Sequence, residues 1–304
     1  MAETEIRGIC PIVDTPFTAD GEVDYENLAR LVARLAESEV NSIAVFGFAS
    51  EYYALSDEER RTMTEVVVEG ATETTSIVSI TPHATTHAVE EAQFAERTGA
   101  DALMVLPPHI RVSSSGDVLD HISAVAEAVS VPVGVQYAPE EGGVALSPGE
   151  LAALYRTVDN IEFFKVEAKP PGSYVTSLLD ETDGEATVLV GNAGFEMIDA
   201  FDRGAAGVMP ASAMYDVYQT IYEKYRQGDR EEAIDIHGDL LQMLTLVGRV
   251  GIQFEKEILK RRDLAATAHC RDPVNSPDEY YTAQFEYVYE TSLAPHFRDG
   301  TREN

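Results

Sequence analysis

The chain contains no tryptophan, only two cysteines, and only five lysines among its 22 basic residues. Each shortage excludes something. Cys10 and Cys270 stand far apart, so they give neither a disulfide framework nor a metal-ligand spacing. No apolar run approaches the roughly 18 residues that a membrane span needs. The opening MAETEIRG lacks a basic, apolar leader, so a cytoplasmic protein without a membrane partner is expected. Positive charge is the scarcest commodity. Against 22 basic residues stand 53 acidic ones, a net charge of −31, which argues against nucleic acid and anionic lipid as partners. The acid is spread over helix faces, as in DEER (57–60) and DREEAID (229–235), and does not fall in blocks. Dispersed acidity with so little lysine is the surface expected of a protein from a high-salt cytoplasm.

What is present is a regular alternation. Apolar runs at GICPIVDTPF (8–17), NSIAVFGF (41–48), TSIVSIT (75–81), DALMVLPP (101–108), PVGVQYAP (132–139), IEFFKVEA (161–168), ATVLVGN (186–192) and AAGVMPA (205–211) read as strands. Each is followed by a helical stretch. Leu28, Leu31, Val32 and Leu35 share one helix face after Asp24, Ser56 opens a helix like a capping box, and Ser147-Pro148 is a cap followed by proline. Further helices are expected from Thr86 and Asp117 and over 173–182, 195–203 and 212–227. Strands apolar on both faces fit a parallel sheet covered by helices. Eight such units predict a (β/α)8 TIM barrel over 1–228, with 229–304 as a C-terminal helical extension packed on it. A doubly wound sheet is the second choice, but no G-x-G-x-x-G turn follows the first strand.

One residue breaks the pattern. Lys165 sits among phenylalanines inside the sixth strand. Alternation places Lys165 and Glu167 on one face with Phe163, and Phe164 and Val166 on the other. Lys165 is therefore expected inside the barrel, near the C-terminal strand ends where such barrels keep their chemistry. Burial disfavours the ammonium form, and a neutral amine can attack a ketone to form a Schiff base that serves as an electron sink. From position alone, a lysine snorkelling from the strand end, or a structural ion pair with Glu167, stands as an equal reading.

Several further pieces occur in order: TPFTADGEVDYENLARLV (15–32), GFASEYYALSDEER (47–60), GADALMVLPP (99–108), VPVGVQYAPE (131–140), FFKVEA (163–168), GAAGVMPASA (204–213), and Arg271, Asp272 and Pro273 near the end. Together they resemble the dihydrodipicolinate synthase / N-acetylneuraminate lyase superfamily, from about residue 5 to 275. The resemblance implies a barrel acting on pyruvate or other 2-keto acids, a covalent imine on Lys165 with no separate cofactor, no metal, and a homotetramer built as a dimer of dimers.

The departures narrow that implication. The loop that uses threonine hydroxyls in the family reads Gly47-Phe48-Ala49-Ser50-Glu51, leaving only the Ser50 hydroxyl. Gln136 stands where the family has its proton-shuttling tyrosine, Tyr137 falls at the next position, and alternation turns it to the other face. His109 or Ile110 stands where a second tyrosine is lent across a dimer interface. Glu141 stands where true synthases have the arginine that binds aspartate semialdehyde. Gln-x-x-Pro on strand five with Lys-x-Glu on strand six resembles the 2-keto-3-deoxy sugar acid dehydratases, of arabonate or pentonate type. Lys165, Glu167 and Gln136 are then the expected catalytic residues. Gly47, Phe48, Ala49, Ser50, Tyr137, Gly191, Asn192 and Met209 are the expected substrate contacts. An aldolase on the same kind of substrate, a pyruvate-dependent synthase-like enzyme, and a non-catalytic ligand-binding homologue are the competing readings. Glu51 is expected to tie its loop down. Tyr52 and Tyr53 stand between lining the mouth and packing, and Asp14, Thr15 and Ser212 are expected beside the site. His83 and His87 suggest a metal pair by spacing, but no third ligand accompanies them.

Overall fold

The computed structural model describes residues 6–298 except 39, 111–113, 142 and 273–275. Pro273, the last residue of the C-terminal motif, lies outside the described residues. Eight parallel strands form the centre: β1 (Gly8–Ile9), β2 (Ser42–Val45), β3 (Thr75–Ile80), β4 (Ala102–Val105), β5 (Val133–Tyr137), β6 (Ile161–Val166), β7 (Thr187–Val190) and β8 (Gly207–Val208). They pair in the order β1-β8-β7-β6-β5-β4-β3-β2. A parallel bridge between Ile12 and Ala44, with Val13 N donating to Ala44 O at 2.8 Å, joins the β1 segment to β2 and closes the ring. The expected TIM barrel is present. Its first strand is shorter than the apolar run because Pro11 has no N–H to give to the ladder. Pro210 ends the eighth run in the same way.

Helices follow each strand: α1 (Tyr25–Glu37), α2 (Asp57–Ala71), α3 (Thr85–Thr98), α4 (Ser115–Ala126), α5 (Pro148–Thr157), α6 (Gly172–Glu181), α7 (Met197–Asp202) and α8 (Tyr215–Gln227). The sequence signals explain their starts. Asp24 caps α1, and reciprocal capping boxes, Ser56 with Glu59 and Ser147 with Glu150, open α2 and α5. Three more helices follow: α9 (Arg230–Val250), α10 (Gln253–Arg261) and α11 (Glu279–Val288). Among the described residues no helix is long and apolar enough to cross a membrane.

Two apolar cores result from strand alternation. The larger lies between sheet and helices and takes Phe164 and Val166; the smaller plugs the barrel interior with Cys10, Ile12, Ala44, Ile77, Met104, Phe163 and Leu189. Gly134 makes the plug possible, because a Cβ there would come within 2.2 Å of the Phe163 ring. The plug is a floor. Lys165 stands one inward-facing step above Phe163, toward the C-terminal rim.

Candidate active site

Lys165 is 3% exposed, yet it borders an open cavity of about 340 Å³ at the C-terminal rim. Its Nζ lies 3.2 Å from Oε1 of Glu167. Both alternatives drawn from position are thus physically present: the amine has an ion-pair partner, and it faces space in which a ketone can sit. Gln136, opposite Lys165 in the β5–β6 register, donates from Nε2 to Glu167 Oε2 at 2.5 Å. The backbone N of Asn192 donates to Glu167 Oε1 at 3.2 Å. Glu167 is therefore fixed by three donors on three strand ends. Gly191 leaves room for it, since a Cβ there would fall 2.3 Å from the Glu167 side chain. The amide oxygen of Gln136 is buried without a hydrogen-bond partner among the described residues. A buried acceptor left open in this way is uncommon.

The other expected contacts divide. Phe48, Ala49, Asn192 and Met209 line the cavity. The amides of Phe48 and Ala49 have no hydrogen bond among the described residues, because they begin the short turn Phe48–Ser50. Gly47 and Ser50 do not line it. Gly47 lies against Ile12, and the Ser50 hydroxyl is spent on the loop itself, donating to Val13 O at 2.6 Å and accepting from Phe46 N at 3.0 Å. Ser50 was expected to touch substrate as the last hydroxyl of its loop; its structural position is that of a brace. Tyr137, also expected as a contact, points away from the cavity. It stacks on Tyr174 of α6 with ring centroids 4.4 Å apart, as alternation from Gln136 requires. Tyr53 lines the mouth and donates to Asp272 at 3.2 Å, whereas Tyr52 is buried.

The backbone on both sides of the cavity is unusual. Phe46 and Glu51 flank one loop, and Asn192 and Ala193 sit in the other, all with φ between 49° and 67°. Non-glycine residues in this region are held there at a cost, and such positions gather at functional sites.

A second buried lysine went unremarked in the sequence. Lys256 on α10 is fully buried, with Nζ 2.9 Å from Glu51 Oε1, and it donates to Thr15 O and lies over the Phe17 ring. Glu51 Oε2 accepts from the backbone N of Arg271 and Asp272 at 2.9 and 2.7 Å, so the glutamate does tie down its loop and also the chain's late strap. Beside it, Asp14 accepts from the N and Oγ of Ser212 at 2.9 and 2.7 Å; burial pushes its carboxyl up to about 6. The neighbouring Glu255 lines the cavity, and burial, with Asp14 near, raises its pKa well above the usual carboxylate range. A sequence signal for Glu255 existed. In QFEKEILK it stands three and four residues before Ile258 and Leu259, on the apolar face of its helix. A charge on an apolar face is the same anomaly that exposed Lys165.

The remaining lining residues are acidic or neutral: Glu141, Asp272, Ala211, Gly251 and Ile252 join those named. Lys165 is the only basic side chain lining the cavity among the described residues. The two histidines do not pair: His83 packs its ring 4.6 Å from that of His109, and His87 Nε2 lies 3.8 Å from Glu91. Asp57, His87 and Glu91 bring ligand atoms within 4.8 Å of one another, but Arg60 already holds Glu91 at 2.9 Å. A larger cleft of about 570 Å³ opens between Arg7, Asn41, Tyr222 and Arg226, at the opposite end of the barrel.

Comparison with known proteins fits this geometry. The chain is 25% identical over 278 residues to the L-2-keto-3-deoxyarabonate dehydratase of Azospirillum brasilense, covering 88% of each. It is 29% identical over 243 residues to the 4-hydroxy-tetrahydrodipicolinate synthase of Methanopyrus kandleri, covering 79% of this chain and 80% of that one. Among solved structures, dihydrodipicolinate synthase from Rhodopseudomonas palustris superposes with a TM-score of 0.88 at 23% identity, covering 94% of this chain and 98% of that one. With residues 5–291 matching its pattern, a barrel of this form and a lysine at this rim, the chain belongs to the dihydrodipicolinate synthetase family, a family of Schiff-base lyases acting on keto acids.

Proposed function

We propose that the protein is a hydro-lyase that removes water from a 2-keto-3-deoxy sugar acid through an imine on Lys165. The observation that carries this reading is the carboxylate of Glu167, held 3.2 Å from the amine by Gln136 and the Asn192 amide at the edge of an open cavity.

The steps balance as follows. Glu167 takes a proton from the Lys165 ammonium, and the free amine attacks the ketone carbon. Loss of water leaves a protonated imine. Glu167, having released its proton, removes one from the carbon beside the imine, and the electron pair moves into the carbon–nitrogen unit to give an enamine. The enamine pushes out the hydroxyl on the following carbon, which leaves as water once protonated. Hydrolysis of the conjugated imine frees Lys165 and the unsaturated keto acid, which tautomerises. A positioned base of this kind supplies roughly 10²–10⁴-fold. Gln136 acts here as the positioning residue for Glu167. The amides of Phe48 and Ala49, without a hydrogen bond among the described residues, suit the substrate carboxylate.

The cavity's charge supports the substrate class. Glu141 and Asp272 line the outer part, where a second anionic group would meet like charge. A neutral, hydroxyl-bearing tail suits such walls, and Asn192 and Tyr53 offer it hydrogen-bonding groups.

The test is a product analysis. A 2-keto-3-deoxypentonate should yield a semialdehyde with every carbon retained. Borohydride added during turnover should fix substrate to the peptide holding Lys165. Release of pyruvate would replace dehydration with aldol cleavage. Absence of an adduct with any keto acid, or an adduct on Lys256, would end the imine reading.

A further inference from the structure

We propose that Glu255, carried to the barrel mouth by α10, is the general acid that protonates the departing hydroxyl. This assignment rests on the dehydratase reading above and supplies the proton donor that reading leaves unassigned.

Four observations support it. Glu255 lines the same cavity as Lys165 and Glu167, although the residue is only 6% exposed. It has no hydrogen bond or ion pair among the described residues; the adjacent cation, Lys256, is committed to Glu51 and Thr15. The groups that face it electrostatically are Asp14, Lys256 and Tyr218, and burial together with Asp14 outweighs Lys256, which shifts the carboxyl toward its protonated form. Glu167 lives in the opposite environment, surrounded by three donors that suit a proton acceptor. Two carboxyl groups in one cavity, one among donors and one in a dry wall, form the arrangement by which a site divides base and acid roles.

The proton balance closes. Glu167 receives the proton from the carbon beside the imine. The bond between the next carbon and its hydroxyl oxygen breaks, with the electron pair leaving on oxygen. The Glu255 proton joins that oxygen, and water departs. Glu255 is left as a buried carboxylate, which burial disfavours, so it recovers a proton from cavity water before the next turnover.

Glu255→Gln tests the assignment, because glutamine matches the protonated carboxyl in shape and neutrality but cannot give up a proton. The variant should still form the borohydride-trapped adduct at Lys165. It should still exchange the protons beside the ketone of 2-oxobutanoate in deuterated water, a reaction that needs Lys165 and Glu167 but no leaving group. Its turnover of the hydroxy substrate should fall by about 10²–10⁴-fold. An analogue with fluoride in place of the departing hydroxyl should be eliminated at close to the wild-type rate, since fluoride leaves as an anion. Hydroxy-substrate turnover at the wild-type rate, or equal loss with both leaving groups, would overturn the assignment. Wild-type protein that fails to trap or exchange would instead remove the dehydratase reading, and the assignment with it.

Discussion

The molecule buries two lysines, and each has a glutamate within about 3 Å. Lys165 is 3% exposed and Lys256 is fully buried. By burial and partner alone they look alike. They differ in what lies on the remaining side. Lys165 faces a cavity, and its glutamate is also held by Gln136 and Asn192. Lys256 faces protein everywhere: Glu51, the Thr15 carbonyl and the Phe17 ring use up its surroundings. A buried lysine enclosed on all sides can serve only as a structural joint, whereas one with an open side can also meet a ligand. Burial and partner identity do not separate these roles, but access does.

Substitutions should pull the two regions apart. The largest effect is expected for Lys165→Met, with catalysis and the borohydride adduct both abolished in single-turnover and trapping assays. Its unfolding free energy should stay within about 1–2 kcal/mol of the parent, because Glu167 keeps two other donors and borders solvent. Lys256→Met should do the reverse. It strands Glu51 as a buried unpaired charge and should cost about 3–5 kcal/mol in denaturant titrations, while folded protein still forms the adduct. Equal behaviour of the two variants would dissolve the contrast. The smallest effect tests the strap that Glu51 helps to hold. Arg271 makes two hydrogen bonds to Glu59 and holds that carboxyl at about 2, below its usual 4.5. A depressed folded-state value means stabilisation that is complete above pH 4.5 and is lost as pH falls toward 2. Glu59→Gln should therefore lower stability by about 1–2 kcal/mol at neutral pH and reduce the acid dependence in that window. A slope unchanged by the substitution would show that the bridge contributes nothing there.

Much of the fold was legible because its signals are local. Short apolar runs, the capping box at Ser56 and the cap and proline at Ser147-Pro148 specify strand–helix units, and eight such units close on themselves. The inward orientation of the candidate residues was legible for the same reason. Alternation alone puts Gln136, Lys165 and Glu167 inward and turns Tyr137 outward against Tyr174. Tyr137, expected as a substrate contact, stacks on Tyr174 instead, as the same alternation requires. The Ser50 expectation failed differently. A hydroxyl in a loop gives no sign in sequence of whether it faces ligand or its own backbone, and here Val13 and Phe46 claim it.

By itself, then, the sequence determined the alternating strands and helices and the shared face of Phe163, Lys165 and Glu167, since each follows from neighbours a few residues apart. Only the tertiary structure decided which buried lysine opens onto space, and that α10 and the strap through Asp272 return to wall the mouth with Glu255 and Asp272. The physical reason is distance along the chain. Periodicity fixes which way a side chain points from its own strand or helix, but a cavity is enclosed by residues from many elements, and its shape exists only once they have packed.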